Sequence, residues 1–157
     1  MAAASIRPGE LVVDIGAGTG ALTRHLLLAG ARVLAVELHP GRARALRQRC
    51  PDAIVVEFDA HDFRWPRRPF RVVASLPYAL SSALLRTLLA RHSYLVAADL
   101  VLQRAAVHRF AGPPGQGSAR PTSPVGRWLL RPGLSLPRRA FRPPPQVDSA
   151  VLVIRRS

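Results

Sequence analysis

Short apolar, β-branched runs alternate along the chain with segments whose leucines recur at helical spacing. Leu11 to Ile15 is apolar except at Asp14 and is stopped by Gly16, the pattern of a strand buried on both faces. Gly20 to Gly30 then sets Leu22, Leu26 and Leu27 on one helical face, with Gly30 as the stop. Arg32 to Glu37 predicts a second strand, Gly41 to Cys50 a basic amphipathic helix ended by Pro51, and Ala53 to Phe58 a third strand. Arg71 to Ala74 predicts a fourth strand, and Ser81 to Arg91 a helix carried by Leu84, Leu85, Leu88 and Leu89. A fifth strand follows over Ala97 to Gln103, then a short helix from Arg104 to Phe110, cut off by Gly112-Pro-Pro-Gly115. Nine of the fifteen prolines fall between Pro113 and Pro145, which predicts a Pro- and Arg-rich loop region and argues against a helical subdomain there. Ala150 to Ile154, inside Val147 to Arg156, predicts a last strand, antiparallel and closing one side of the sheet. Strands alternating with helices point to an α/β doubly wound sheet with its ligand at the carboxyl ends of the strands.

Length sharpens this reading: 157 residues support one core, so a single domain over 1–157 is expected. The longest stretch free of Asp, Glu, His and Arg, Val72 to Leu85, is too short and too interrupted by proline to span a bilayer, so no membrane partner is expected. The first residues lack the basic flank and apolar run of a secretory signal, and a lone Cys50 cannot form an internal disulfide; the cytoplasm is the expected compartment. Charge adds a partner. Residues 1–60 hold seven arginines against six acidic residues, whereas residues 61–157 hold sixteen against three. The second part thus carries +13 of the net +14, an asymmetry that suits a surface meeting a polyanion such as RNA or DNA.

The chemistry gathers at strand ends. Asp14-Ile-Gly16-Ala17-Gly18-Thr-Gly20 joins the first strand to the first helix, where glycines let a backbone approach a ligand and a helix N-terminus offers N–H groups. Its G-x-G-x-G spacing differs from the G-x-G-x-x-G of dinucleotide sites, and the acid before it would repel a pyrophosphate but suits a cationic group, such as the ammonium of S-adenosylmethionine. Glu37 ends the second strand, where a carboxylate can accept both ribose hydroxyls. Asp59-Ala60 follows the third, where a carboxylate can accept from the exocyclic amine of adenine. The five histidines, His25, His39, His61, His92 and His108, lack paired metal spacing, and no metal is expected.

These residues resemble the class I, Rossmann-like methyltransferases that use S-adenosylmethionine. Ser75-Leu76-Pro77-Tyr78 is similar to the tetrapeptide of those that methylate amino groups, and Phe141-Arg-Pro143-Pro-Pro145-Gln-Val147-Asp148-Ser149 resembles the F-x-P-x-P-x-V-D-S motif of the ribosomal RNA adenine N6-methyltransferases, which comprise small-subunit dimethylases and macrolide-resistance enzymes. The resemblance runs from Glu10 to Arg156. It implies a cofactor site of Asp14, Gly16, Ala17, Gly18, Gly20, Glu37, Leu38, Asp59, Ala60 and Ser75. It also implies that Ser75 and the Leu76 carbonyl accept from the target amine, that Pro77 fixes the turn and that Tyr78 stacks on the base. Because an arginine fork suits phosphate, the candidate RNA contacts are Arg64, Arg67 and Arg68 around Trp65, then Arg104 and Arg109, and the loop Arg138, Arg139, Phe141 and Arg142. Only nine residues precede Glu10, leaving out the family's Gln-Asn-Phe segment, and the chain stops where the family's C-terminal helical domain would begin. The expectation is therefore a monomeric member shortened at both ends, closer to the resistance branch, with a non-catalytic RNA-binding remnant of the family as the alternative.

Overall fold

The computed structural model describes residues 5–112 and 127–157. Among these residues seven strands and four α-helices follow one another: β1 (Leu11–Ile15), α1 (Ala21–Leu28), β2 (Arg32–Glu37), α2 (Pro40–Arg49), β3 (Ile54–Glu57), β4 (Phe70–Ser75), α3 (Tyr78–Leu88), β5 (Leu95–Gln103), α4 (Arg104–Ala111), β6 (Trp128–Leu136) and β7 (Ser149–Arg156), with a 3-10 turn at Arg138–Ala140. The strand order is β3-β2-β1-β4-β5-β7-β6. Two compact units divide the chain, Met1–Ser75 with Tyr94–Val96, and Leu76–Ser93 with Ala97–Ser157.

In the first unit β1 pairs in parallel with β2 on one side and β4 on the other, and β2 pairs in parallel with β3. Chain order reverses across β1, and in such sheets the carboxyl ends at that reversal are where ligands bind. Val12, Val33, Ala35 and Val73 from the strands form a core with Leu26 of α1 and Leu46 of α2. Helix α2 starts at a proline, whose fixed φ suits the first helical turn, and the His39 imidazole caps it: Nδ1 accepts from the amides of Gly41 at 3.1 Å and Arg42 at 3.3 Å. No sequence pattern marks His39 for that role, since Ser, Thr, Asp and Asn are the usual caps.

The second unit is antiparallel. β7 pairs with β5 along Ala97↔Arg155 to Gln103↔Ser149 and, on its other side, with β6. Two sequence expectations are corrected here. The stretch expected as loop contains strand β6, and β7 does not close the sheet but lies inside it, with β6 as the edge. Pro132 misleads the sequence reading: a proline cannot donate to a ladder, but an edge strand has one unpaired side and tolerates it, and the register slips between Pro132 and Ser135. β6 is also mostly exposed, so it lacks the apolar run of an interior strand. Residues 113–126 of the expected loop region lie outside the described residues.

Smaller shifts have local causes. α3 begins at Tyr78 and ends at Leu88, three residues before its expected bounds at each end, because Pro77 in extended conformation is its cap and Ser81 Oγ donates back to the Tyr78 carbonyl at 2.6 Å. β5 begins two residues early, at Leu95. Among the described residues no helix is long and apolar enough to cross a membrane.

Candidate functional site

The glycine loop leaves β1 and turns back on itself through left-handed φ at Gly16, Gly18 and Gly20. The glycines serve different ends. A Cβ on Gly20 would stand 2.8 Å from Leu46 Cδ1 and 2.9 Å from Cys50 Sγ, so that glycine lets α1 and α2 pack. A Cβ on Gly18 would meet nothing within 4 Å, and one on Gly16 would meet only the Ser75 carbonyl, at 3.7 Å. These two positions leave open room above the loop.

The loop amides turn inward. Gly16 and Ala17 both donate to the Val36 carbonyl, at 2.8 and 3.1 Å, and Gly18 donates to Glu37 Oε2 at 2.8 Å. Glu37 Oε1 accepts from the His39 amide at 3.0 Å and stands 3.7 Å from Arg42 Nε. The acid at the end of β2, expected to meet a ribose, thus clasps the glycine loop, which residue spacing could not reveal. A carboxylate offers about four acceptor positions, and two backbone bonds leave places for further hydroxyls.

Asp14 lies beneath the loop, 1% exposed, and its Oδ2 accepts from Thr23 Oγ1 at 2.7 Å. Burial pushes its carboxyl up to about 7, Glu37 nearby pushes the same way, and the Thr23 bond opposes both. Thr23, a polar residue fully buried on α1, is a partner that sequence reasoning missed. Asp59 makes an Asx-type turn, Oδ1 accepting from the His61 amide at 2.9 Å; Ala60 is half-buried and Leu38 exposed. Ser75 is exposed at the end of β4.

In the second unit the Leu76 amide donates to the Val101 carbonyl at 3.0 Å, tying the tetrapeptide to the end of β5. Tyr78, 43% exposed, holds its hydroxyl against an Arg109 Nη1 donor, and the guanidinium carbon stands 5.6 Å from the ring centroid. Arg109, expected as an RNA contact, therefore also braces the aromatic residue.

The arginines do not converge on one place. Arg64, Arg67 and Arg68 are exposed, and Arg68 shares a cavity with Gly9, Glu10 and Arg32, at the amino ends of the strands and away from Asp14 and Glu37. Trp65 stacks on Phe70 at 5.6 Å and 6°, with Phe63 edge-on at 5.2 Å, so its ring is already packed. Arg104, Arg138, Arg139 and Arg142 are exposed in the second unit, where Phe141 is half-buried.

A mixed seven-stranded sheet with a glycine loop and an acid ending β2 has the Rossmann-like fold of the class I methyltransferases. The chain belongs to the ribosomal RNA adenine dimethylase family, whose model matches residues 1–157. It is 36% identical over 154 residues to the ribosomal RNA small subunit methyltransferase A of Leptothrix cholodnii, an alignment covering 93% of this chain and 57% of that protein. Among solved structures it is similar to the 23S rRNA methyltransferase ErmE (TM-score 0.87, 30% identity, 98% of this chain and 64% of that one). It is also similar to a dimethyladenosine transferase from Plasmodium falciparum (TM-score 0.86, 26% identity, 99% and 58%). The chain spans a little over half the length of the curated relatives it matches.

Proposed function

We propose that residues 1–157 act as a single methyltransferase domain that transfers a methyl group from S-adenosylmethionine to N6 of an adenosine in ribosomal RNA. The carrying observation is the Glu37 carboxylate, which holds the Gly18 amide at 2.8 Å and keeps acceptor positions free beside the open room that Gly16 and Gly18 leave. That combination fits a nucleoside with vicinal hydroxyls. Asp59, with Oδ1 taken by the His61 amide, has Oδ2 to accept from an adenine amine, and the exposed Leu38 and half-buried Ala60 offer apolar surface to the ring. Bound there, the cofactor supplies a methyl group on a positively charged sulfur, an electrophile that needs no further activation.

The chain's own residues then have a limited task. Ser75 Oγ and the Leu76 carbonyl accept the N–H bonds of the target amine, which places more electron density on its nitrogen. Tyr78, braced by Arg109, stacks on the base and holds the amine in line. No general base is required, because the proton is lost from an already alkylated, acidic nitrogen to water. The exposed arginines of the second unit hold phosphates, and the reading carries with it a cytoplasmic location.

The test is purified protein with ribosomal RNA and isotopically labelled methyl donor. Label is expected in N6-methylated adenosine, to be lost at least a hundredfold in Tyr78→Ala, while Glu37→Gln raises KM for the donor with less effect on kcat. RNA retention without any transfer would favour the non-catalytic remnant instead.

A further inference from the structure

A cavity of about 340 Å³ opens in the second unit where β5 passes into α4 and the segment before β7 runs alongside, walled by Gln103, Arg104, Arg138, Gln146 and Val147. Backbone bonds build it. The Arg104 amide donates to the Asp148 carbonyl at 2.9 Å, and the Arg138 guanidinium donates to the Gln146 carbonyl at 3.0 Å while standing 3.6 Å from the Asp148 carboxylate. Arg138 is thereby committed to shaping the wall. The exposed Arg104 guanidinium is engaged by none of the described residues and is free to meet a ligand.

Asp148 also lines the cavity, its carboxylate standing 3.6 Å from Arg138 Nε, and the rest of the lining mixes three chemistries. Arg104 offers a planar fork that matches phosphate. The amides of Gln103 and Gln146 can each donate and accept, as the edge of a nucleobase requires. Val147, 45% exposed, keeps an apolar face at the surface against which a flat ring can lie. An aspartate-rich peptide would use the arginine and, through its backbone, the amides, but it offers no flat ring for Val147. The volume lies at the lower end of small-ligand sites and suits one nucleotide.

Position supports the same ligand. The Leu76 amide is bonded to Val101, two residues before Gln103, and Arg109, which braces Tyr78, lies on the helix that Arg104 begins, about 7.5 Å further along its axis. The cavity therefore lies at the end of the strand to which the tetrapeptide is bonded, and at the start of the helix that carries Arg109.

We propose that this cavity binds the nucleotide next to the target adenosine in single-stranded RNA, with Arg104 on its phosphate, Gln103 and Gln146 on the base edge and Val147 against the base face. The assignment rests on the adenosine-methylation reading and deepens it by naming a specificity subsite.

The experiment uses the 157-residue chain and a six-nucleotide RNA in which one adenosine lies between two 4-thiouridines. After irradiation, cross-linked peptides are mapped by mass spectrometry, and cross-links within residues 103–105 or 146–148 are expected. Cross-links confined to other segments, such as 64–68, would overturn the subsite. In parallel, replacing one flanking base by an abasic residue is expected to weaken binding at least fivefold for the unaltered chain and to change nothing for Val147→Trp, whose indole fills the cavity from an exposed position. Arg104→Gln, also at an exposed position, should weaken both RNAs equally. Equal binding of the two RNAs by the unaltered chain would overturn the subsite, as would an aspartate-rich hexapeptide that, added before irradiation at a concentration equal to that of the RNA, abolishes the cross-links. Cross-links in the cavity with no label transferred to adenosine would uphold the subsite and sink the methylation reading, whereas transfer with cross-links elsewhere would do the reverse.

Discussion

Asp14 shows how far a single residue's chemistry can depart from its sequence appearance. An acid at a strand end suggests a charged ligand contact, yet this one is buried under the glycine loop with Thr23 as partner and its carboxyl raised to about 7. A carboxyl raised on folding binds a proton more tightly in the folded chain, so its stabilising contribution is complete below about 3.8 and is lost as pH rises through about 7. Asp14→Asn, which mimics the protonated form, should therefore match the unaltered chain at pH 4. At pH 8 it should be the more stable by about 4 kcal/mol in ligand-free denaturant melts, since each pKa unit is worth about 1.4 kcal/mol. Equal stability of the two at both pH values would refute the buried placement. Tyr78 and Arg109 offer a second test: they lie 31 residues apart and touch through the hydroxyl and the ring face. A double-mutant cycle with Tyr78→Phe and Arg109→Gln, read by urea unfolding, should return a coupling of about 1 kcal/mol. Additivity would mean that Arg109 faces solvent and RNA alone. Neither Thr23 nor Arg109 could be paired with its partner from sequence, because no local pattern connects residues brought together by folding.

Elements were legible in proportion to how much of their burial is written locally. β1 and β2 match their sequence bounds, since a strand covered on both faces must be apolar throughout and a turn must follow it. β6 was missed because an edge strand is half solvated, carries Pro132 and Gly133, and shows neither alternation nor an apolar run. Its neighbour β7 was recognised from Ala150 to Ile154, but its place between β5 and β6 was not. Those placements predict a contrast. Leu152 on β7 is fully buried, and Leu152→Ala should cost about 2–5 kcal/mol of unfolding free energy. Leu129 on β6 is largely exposed, and Leu129→Ala should stay within about 0.5 kcal/mol. Comparable costs at both positions, measured by urea denaturation, would remove β6 from the edge.

Across the whole molecule, charge outweighs every other feature, with +13 of +14 carried by residues 61–157. If four arginines meet phosphates of a single strand, the logarithm of the affinity should fall with the logarithm of salt with a slope near −2.8, so that doubling salt weakens binding about sevenfold. Fluorescence anisotropy of a labelled single-stranded RNA across a salt series measures this, and a slope near zero would remove the arginines from the interface. The sequence by itself determined the alternation of strands and helices, the glycine loop, the three acids at successive strand ends and the basic surplus. All of these are local: they follow from side-chain periodicity, from backbone conformations that only glycine adopts readily, and from counting. Only the tertiary structure decided that Glu37 clasps Gly18, that Asp14 is sealed against Thr23, that Arg68 stands at the far end of the strands, that β6 takes the edge and that a cavity forms beside Gln103. Each of those depends on groups far apart along the chain, whose meeting is set by how the sheet orders its strands.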